Sequence, residues 1–334
     1  MNLLQTATRL SESDQTLSSM RRVAVVENPA SGQTSPRRKA IIRETLAILR
    51  QAGLETEHLM IDGPGSGSAL TRQAIARGCD AVLVCGGDGT VHEVMQALVG
   101  TDVALGVVPM GTANALASDL GISRSPEKAI RALLQAEPTQ VPVGRISFHD
   151  TDGSLRSRYF TVAAGIGADA LLMARMDPVL KRRLGYLLYI VEAFRIWISH
   201  SFPLFRVTHT NGDGRPHVLD ASQLLAVRIR SFGGVLGELA PGATLHGNKL
   251  CLLAFKTRSR LRYLRFLLAV VAHRHSFSNE IELIAADSVE CLPRKGSRSH
   301  VYVEADGELL GQLPARIDVA AETLTLLIPP NAEP

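Results

Sequence analysis

The sequence predicts a two-lobed protein: an amino-terminal α/β domain with a doubly wound sheet, then a mainly antiparallel β-sandwich. Three observations predict it. The front half alternates short apolar runs with helical patterns, and several runs end in a Gly- or Asn-containing corner, the rhythm of parallel strands joined by helical crossovers. After about residue 140, strand-length runs are parted by Gly, Asn, Asp and Pro, the pattern of antiparallel hairpins. The chain is also 334 residues long, more than one ordinary core holds.

The elements follow in order. Residues 1–20 are polar, with Glu12 and Asp14 where an export signal needs an apolar run, and read as a flexible tail. Residues 23–26 form a strand. Ser35 caps and Pro36 opens a helix with Ile41, Ile42, Leu46 and Leu49 on its apolar side, and Gly53 stops it. Residues 58–61 read as a weaker strand, followed by a Gly/Ser loop at 63–68 and a helix ending near Gly78. Residues 81–85 are almost purely apolar, as in a strand buried on both faces of a parallel sheet. A helix at 90–99, a strand at 103–108, a helix at 112–120 and a Ser-Pro-opened helix from 125 to 135 complete the first lobe, 21–142. The second lobe, 143–330, has strands at 158–163, 204–210, 223–230, 249–255, 280–284, 299–304 and 323–328. Helices at 178–199 and 259–273 interrupt it.

Composition narrows the function. Hydrophobic residues are 46% and charged residues 20%, which excludes a largely disordered chain. Lys plus Arg at 36 against Asp plus Glu at 32 leaves +4, too small a surplus for a nucleic-acid partner but compatible with an anionic ligand or membrane surface where the basic residues cluster. Cys79, Cys85, Cys251 and Cys291 show no CxxC spacing, which argues against a zinc site or disulfide scaffold and fits a reducing cytoplasm. The richest apolar stretch, 184–198, is broken by Glu192 and Arg195, so the expectation is a soluble or peripheral protein.

The chemistry concentrates in three corners. Gly86-Gly87-Asp88-Gly89-Thr90 lies between a buried strand and a helix start. Its glycines let backbone N–H groups approach a ligand, and the helix terminus adds partial positive charge, so the corner suits a phosphate. Asp88 repels phosphate unless a divalent cation lies between them or the carboxylate orients the loop. Asn28-Pro29-Ala30-Ser31-Gly32 follows the first strand and Pro109-Met110-Gly111-Thr112-Ala113-Asn114 the fourth. All three sit at carboxyl ends of expected parallel strands, where they can converge on one crevice.

With these strings the sequence resembles the diacylglycerol kinase catalytic family, which includes bacterial lipid kinases and the sphingosine kinases. The matching strings are NPASG, GGDGTVHEV and PMGTANALASDLG, then AAGIGAD, RSFGGVLGELAPGATL and VEADGELL, spanning about residues 22–328. The resemblance implies a phosphofructokinase- or NAD-kinase-like first domain, a β-sandwich second domain and an active site between them. It implies an ATP-dependent kinase acting on a lipid hydroxyl, with magnesium required. By position, Asn28, Ser31 and Gly32 contact the nucleotide; Gly86, Gly87, Asp88, Gly89 and Thr90 hold phosphates and magnesium; Glu93 supports the next helix turn; Gly111, Thr112 and Asn114 complete the nucleotide side. Asp306 matches the proposed general base, with Glu308 a lesser substitute. Spacing alone reads Asp306-Gly307 as a hairpin turn.

The sequence departs from the pattern at three places. Gln33 stands where relatives often have a basic residue, and Arg37, Arg38 or Lys39 either supplies that charge or forms a solvated helix face. Ala115 replaces the Asp that many relatives have after the Asn of GTxN. His246-Gly247-Asn248 replaces an Asp-Gly string that contributes to a structural metal site, so no second metal is expected. Asp169 marks the second domain more than a catalytic role.

Basic residues border apolar ones in two segments. Lys256, Arg258, Arg260, Arg262 and Arg265 flank Leu261, Tyr263, Leu264, Phe266, Leu267 and Leu268. Lys181, Arg182 and Arg183 precede Leu184, Tyr186, Leu187, Leu188 and Tyr189. Such helices meet anionic lipid or simply cover a sheet. His92 covers the helix of the GGDGT motif, His273 and His275 face different ways, and Trp197 reads as packing. The expected partners are ATP, a lipid alcohol with diacylglycerol foremost, and peripherally an anionic membrane surface; a homodimer is left open. Sphingoid-base, phosphatidylglycerol and NAD-type kinases are the enzymatic alternatives, and a non-catalytic nucleotide- or lipid-binding regulator the alternative of another class.

Overall fold

The computed structural model describes residues 16–30, 35–150, 152–176, 186–212, 214–232, 237–271, 280–296 and 300–330. Ser31, Gly32, Gln33, Lys181, Arg182, Arg183, His273 and His275 lie outside the described residues.

Strands β1 (Arg22–Glu27), β2 (Glu55–Met60), β3 (Ala81–Gly86) and β4 (Ala104–Pro109) pair in parallel in the order β2-β1-β3-β4. Every residue of β3 and β4 is buried, which is why their sequences are continuous apolar runs instead of alternating ones. Helix α1 (Ser35–Gln51) packs with α5 (Pro126–Leu134), and α2 (Ser66–Ala76) with α3 (Asp88–Leu98). The short helix α4 (Ala115–Asp119) is tighter than the expected span of 112–120, because residues 110–114 are spent on the corner that precedes it.

The fifth neighbour in this sheet comes from the far end of the chain. Strand β15 (Glu308–Ile328) lies parallel to β4 through Leu326 and Leu105, with antiparallel β5 (Glu137–His149) on it. Residues 323–328, expected in the sandwich, therefore complete the first lobe. Leu324, Leu326 and Leu327 are fully buried in the core of that lobe, and nothing in a six-residue strand-like run tells which sheet will bury it. β5 crosses the expected boundary at 142/143 without a break, so two long strands run through both lobes.

The second lobe adds β6 (Leu155–Phe160), β7 (Ala163–Ile166), β8 (Phe205–Thr210), β9 (Pro216–Ala221), β10 (Gln223–Val227), β11 (Leu250–Phe255), β12 (Ile281–Ala286), β13 (Ser288–Pro293) and β14 (Tyr302–Ala305). Antiparallel ladders run β12-β11-β10-β7-β14-β15, and β9-β8-β13 joins β15 from the side. Phe160, Phe205, Val207, Leu224, Leu252, Val303 and Ile317 form its core. The strand expected at 158–163 is two strands, interrupted at Thr161 and Val162, whose backbone N–H groups donate to a side-chain carboxylate, that of Asp306. Helices α6 (Ala168–Arg175), α7 (Tyr186–Ser199) and α8 (Arg260–Val271) complete the lobe. Among the described residues no helix is long and apolar enough to cross a membrane.

Candidate active site

The corners expected to converge do meet. Gly87 and Gly111 touch backbone to backbone: a Cβ on Gly111 would lie 2.6 Å from the Gly87 Cα, and one on Gly87 would lie 3.1 Å from the Gly111 Cα. Only glycine permits that approach. Met110 N–H donates to the Gly86 carbonyl at 2.8 Å, continuing the β3–β4 ladder into the corners. The first corner joins through Asn28, whose Nδ2 donates to Thr90 Oγ1 at 3.0 Å while its Oδ1 accepts from Ala30 N–H at 2.9 Å.

Asp88 opens α3 and reaches across to the next corner. Its carboxylate accepts from Asn114 N–H at 2.8 Å and Ala115 N–H at 2.7 Å. It therefore caps α4, satisfying N–H groups that have no intrahelical partner. Burial pushes this carboxyl above its ordinary value; the two amides pull against that, and the charge of Asp306 adds to the rise. Asn114 sits at φ 51° and folds its side chain onto its own loop, accepting from Gly111 N–H and donating to the Gly111 carbonyl, both at 2.8 Å. Its amide shapes the corner, leaving Thr112 and Ala113 exposed at the tip. A fourth corner, 63–68 after β2, is bound to the same helix: Glu93 accepts from Gly67 N–H at 2.8 Å, and Ser68 Oγ donates to the Glu93 carbonyl at 2.5 Å. Glu93 thus ties α2 to α3.

The acid from the second lobe arrives on the β14–β15 hairpin. Asp306 and Gly307 both have positive φ, 49° and 83°, so the Asp-Gly turn read from spacing is real. Asp306 is 8% exposed. Its Oδ1 accepts from Val162 N–H at 2.9 Å and Ala163 N–H at 3.1 Å, and its Oδ2 from Thr161 N–H at 3.0 Å. Thr161 Oγ1 and His92 Nδ1 lie 3.4 Å from Oδ2. His92 thus presses the GGDGT helix against the hairpin instead of merely covering it. Asp306 is a seam between lobes, its oxygens occupied by the amides that the β6–β7 break sets free. Glu308, two residues on, is exposed, and its Oε1 lies 2.3 Å from where a Gly89 Cβ would stand. The side chain held over the GGDG backbone is that of Glu308.

Behind the turn lies a buried acid pair. A Cβ on Gly165 would meet Asp169 Oδ2 at 1.8 Å and Glu304 Oε1 at 2.6 Å, so the carboxyls face one another. Burial pushes the Asp169 carboxyl up to about 7 and, with the charge of Asp169, raises Glu304 well above its ordinary value. Two such groups cannot both ionise. Glu304 Oε2 also accepts from Gly307 N–H at 2.8 Å, bracing the turn. By sequence Asp169 is only a marker of the second domain, and nothing in its spacing from residue 304 announces this contact.

Glycine corners that meet at the edge of one lobe, faced by a carboxylate hairpin from the other, are the geometry of a two-lobed fold with its cleft between the lobes. The chain belongs to the diacylglycerol kinase catalytic domain family, whose model matches residues 22–146; residues 160–328 match the YegS C-terminal NAD kinase beta sandwich-like domain. It is 28% identical to a diacylglycerol kinase of Mycobacterium tuberculosis over 313 residues, 92% of this chain and 95% of that protein. It is 26% identical to one of Bacillus subtilis over 300 residues, covering 88% and 92%, and 28% identical to a probable YegS-like lipid kinase of Chromohalobacter salexigens over 254 residues, covering 75% and 77%. The fold matches a putative diacylglycerol kinase structure from Bacillus anthracis with a TM-score of 0.72 at 21% identity, covering 94% of this chain and 99% of that one. A yeast NADH kinase structure matches with a TM-score of 0.50 at 11% identity, covering 92% and 83%. The protein is a lipid kinase by family, with the α/β and β-sandwich architecture that its sequence predicts.

Proposed function

We propose that this enzyme transfers the γ-phosphate of ATP to the hydroxyl of a lipid alcohol, with diacylglycerol the leading acceptor. The observation that carries the reading is the Gly87–Gly111 backbone contact with the Glu308 carboxylate suspended over Gly89. The glycine corners offer N–H groups to a triphosphate, and Glu308 is the exposed acceptor for the hydroxyl proton as the lipid oxygen attacks the γ-phosphorus. Asp306 takes the role of interlobe brace in this reading, because its acceptor positions are taken by three amides and the Thr161 hydroxyl. ADP is the leaving group as the γ-phosphoryl is transferred.

Magnesium fits as an ion carried in on the nucleotide. Among the described residues no group of three or more His, Cys, Asp or Glu side chains could hold a metal. Asp88 uses one acceptor position on each oxygen for an amide and has another free on each. It would hold the ion together with phosphate oxygens. When bound, the ion supplies screening of the charge that builds on the transferring phosphoryl group.

Access to the lipid is best served at a membrane surface. Val191, Phe194 and Ile198 on α7 and Leu261 and Leu268 on α8 are exposed, and Trp197 Nε1 donates to the Arg260 carbonyl at 2.9 Å, joining the two helices. Arg258, Arg260, Arg262 and Arg265 border this face, while Tyr263 and Phe266 turn into the core. An apolar patch rimmed by arginine suits an anionic bilayer.

The test is incubation with labelled ATP and magnesium against a lipid extract, with separate arms for diacylglycerol, sphingoid base, phosphatidylglycerol and NAD. Phosphorylated diacylglycerol identified by mass supports the proposal. Label appearing only in NAD, or in no product, overturns it.

A further inference from the structure

Arg228 is the largest fully buried side chain among the described residues, 1% exposed. It follows β10 at the seam between the lobes. Its Nη2 lies 3.0 Å from the Pro142 carbonyl, 3.1 Å from that of Leu245 and 2.9 Å from that of Gly247. An NH2 group has two protons and cannot donate fully to three acceptors. Carbonyl oxygens crowded on one point repel each other unless the point carries positive charge, and rings of carbonyls are how proteins hold bare cations. A turn carries two of these oxygens, with Gly247 N–H donating to Thr244 O at 3.1 Å, and strand β5 carries the third.

The remaining donors support the same reading. Nε and Nη1 are buried and have no hydrogen-bond partner, and burial alone acts on the guanidinium, lowering it to about 10. It stays cationic at neutral pH without a carboxylate to justify it, an arrangement that costs stability unless the charge is used. The charge is used by the cradle.

We infer that Arg228 is an internal cation that fills a carbonyl cradle between the lobes and positions the active-site seam, so that this seam needs no metal ion. Two connections make it a positioning residue. Its backbone N–H donates to the Val162 carbonyl at 2.9 Å, and the N–H of Val162 binds Asp306 Oδ1. The segment between Arg228 and the cradle carbonyls also delivers Ser231 N–H to Asp119 Oδ1 at 2.8 Å. Asp119 ends α4, whose start is held by Asp88. One buried charge thus backs both the acid hairpin and the GTAN corner.

The test compares Arg228→Lys, Arg228→Met and Arg228→Ala in the full chain. Thermal unfolding is followed in EDTA and in millimolar Ca2+ or K+, and turnover is followed at fixed magnesium-ATP. Wild type should unfold at one temperature in all three media. Arg228→Ala should unfold lower and recover in part when Ca2+ or K+ enters the vacated cradle. Arg228→Lys should keep kcat within about threefold, the ammonium reaching fewer acceptors than the guanidinium fork. Arg228→Met should lose on the order of ten- to a hundredfold in kcat with the KM for ATP little changed, as misplacement of reacting groups does. If Arg228→Ala does not fold, the Lys and Met variants decide. Arg228→Met equal to wild type in both unfolding and kcat overturns the inference, as does Arg228→Lys damaged as badly as Arg228→Met. The kinetic arm rests on the lipid-kinase reading. The thermal arm does not, so an enzyme that phosphorylates no lipid still tests the cradle.

Discussion

Asp306→Asn and Glu308→Gln, two residues apart, should fail in different ways. Asparagine tolerates positive φ, so Asp306→Asn keeps the turn. Its single side-chain oxygen can still serve Val162 and Ala163 N–H, but its NH2 group then faces the Thr161 N–H, donor against donor. A buried amide left unpaired costs about 1–3 kcal/mol, and the remaining bonds lose their charge assistance. A total near 3 kcal/mol corresponds to a melting temperature lower by roughly 4 °C for a chain of 334 residues. Glu308 is exposed, so Glu308→Gln should change stability by less than about 0.5 kcal/mol. Its turnover should nonetheless fall on the order of 10²–10⁴-fold, the contribution of a positioned base. Thermal unfolding and phosphorylation of diacylglycerol vesicles read the two effects, with ATP binding followed by titration and expected near wild type in both variants. An Asp306→Asn protein of unchanged melting temperature but no turnover would refute the division of labour. So would a fully active Glu308→Gln.

Gly111→Ala places a methyl 2.6 Å from the Gly87 backbone, which no rotamer relieves, so nucleotide affinity should drop at least about tenfold in a titration. Gly89→Ala meets only the tip of Glu308, 2.3 Å away; the protein should fold normally while kcat falls. The buried acid pair sets a pH slope. The folded chain holds the Asp169 proton up to about 7 against an ordinary 3.8, so folding binds protons and this pair's contribution to stability falls as pH rises between those values. Denaturant unfolding across that range should show a flatter slope in Asp169→Asn, and an identical slope would sink the assignment. Replacing Phe194, Leu261 and Leu268 by Ser, or Arg258, Arg260, Arg262 and Arg265 by Ala, should weaken sedimentation with anionic vesicles, the arginine variant losing its salt dependence as well. Binding unchanged at low salt would reduce α8 to a cover for the sheet.

The corners were legible because their chemistry is local. Gly86, Gly87, Asp88, Gly111 and Asn114 announce sharp turns at strand ends, and parallel strands carry such turns to one edge. The break between β6 and β7 was not legible, since 158–163 reads as one strand and the carboxylate that takes its amides, Asp306, lies over 140 residues away. Asp306 and Glu308 looked interchangeable within VEADGE. Their surroundings part because the hairpin turns one carboxylate into the seam and leaves the other over Gly89. Arg228 gave no signal, because a single arginine after a strand ordinarily points to water.

By itself the sequence determined the α/β and sandwich order, the glycine corners and the kinase family, all of which are written in short windows of hydrophobic period and turn chemistry. Tertiary structure alone decided that the last strand completes the first sheet, that Asp306 is spent on amides, that Asp169 and Glu304 share a buried site, and that Arg228 lodges among three carbonyls. Each of those depends on residues tens to hundreds of positions apart meeting away from water, where burial, not sequence neighbourhood, sets what a charged group can do.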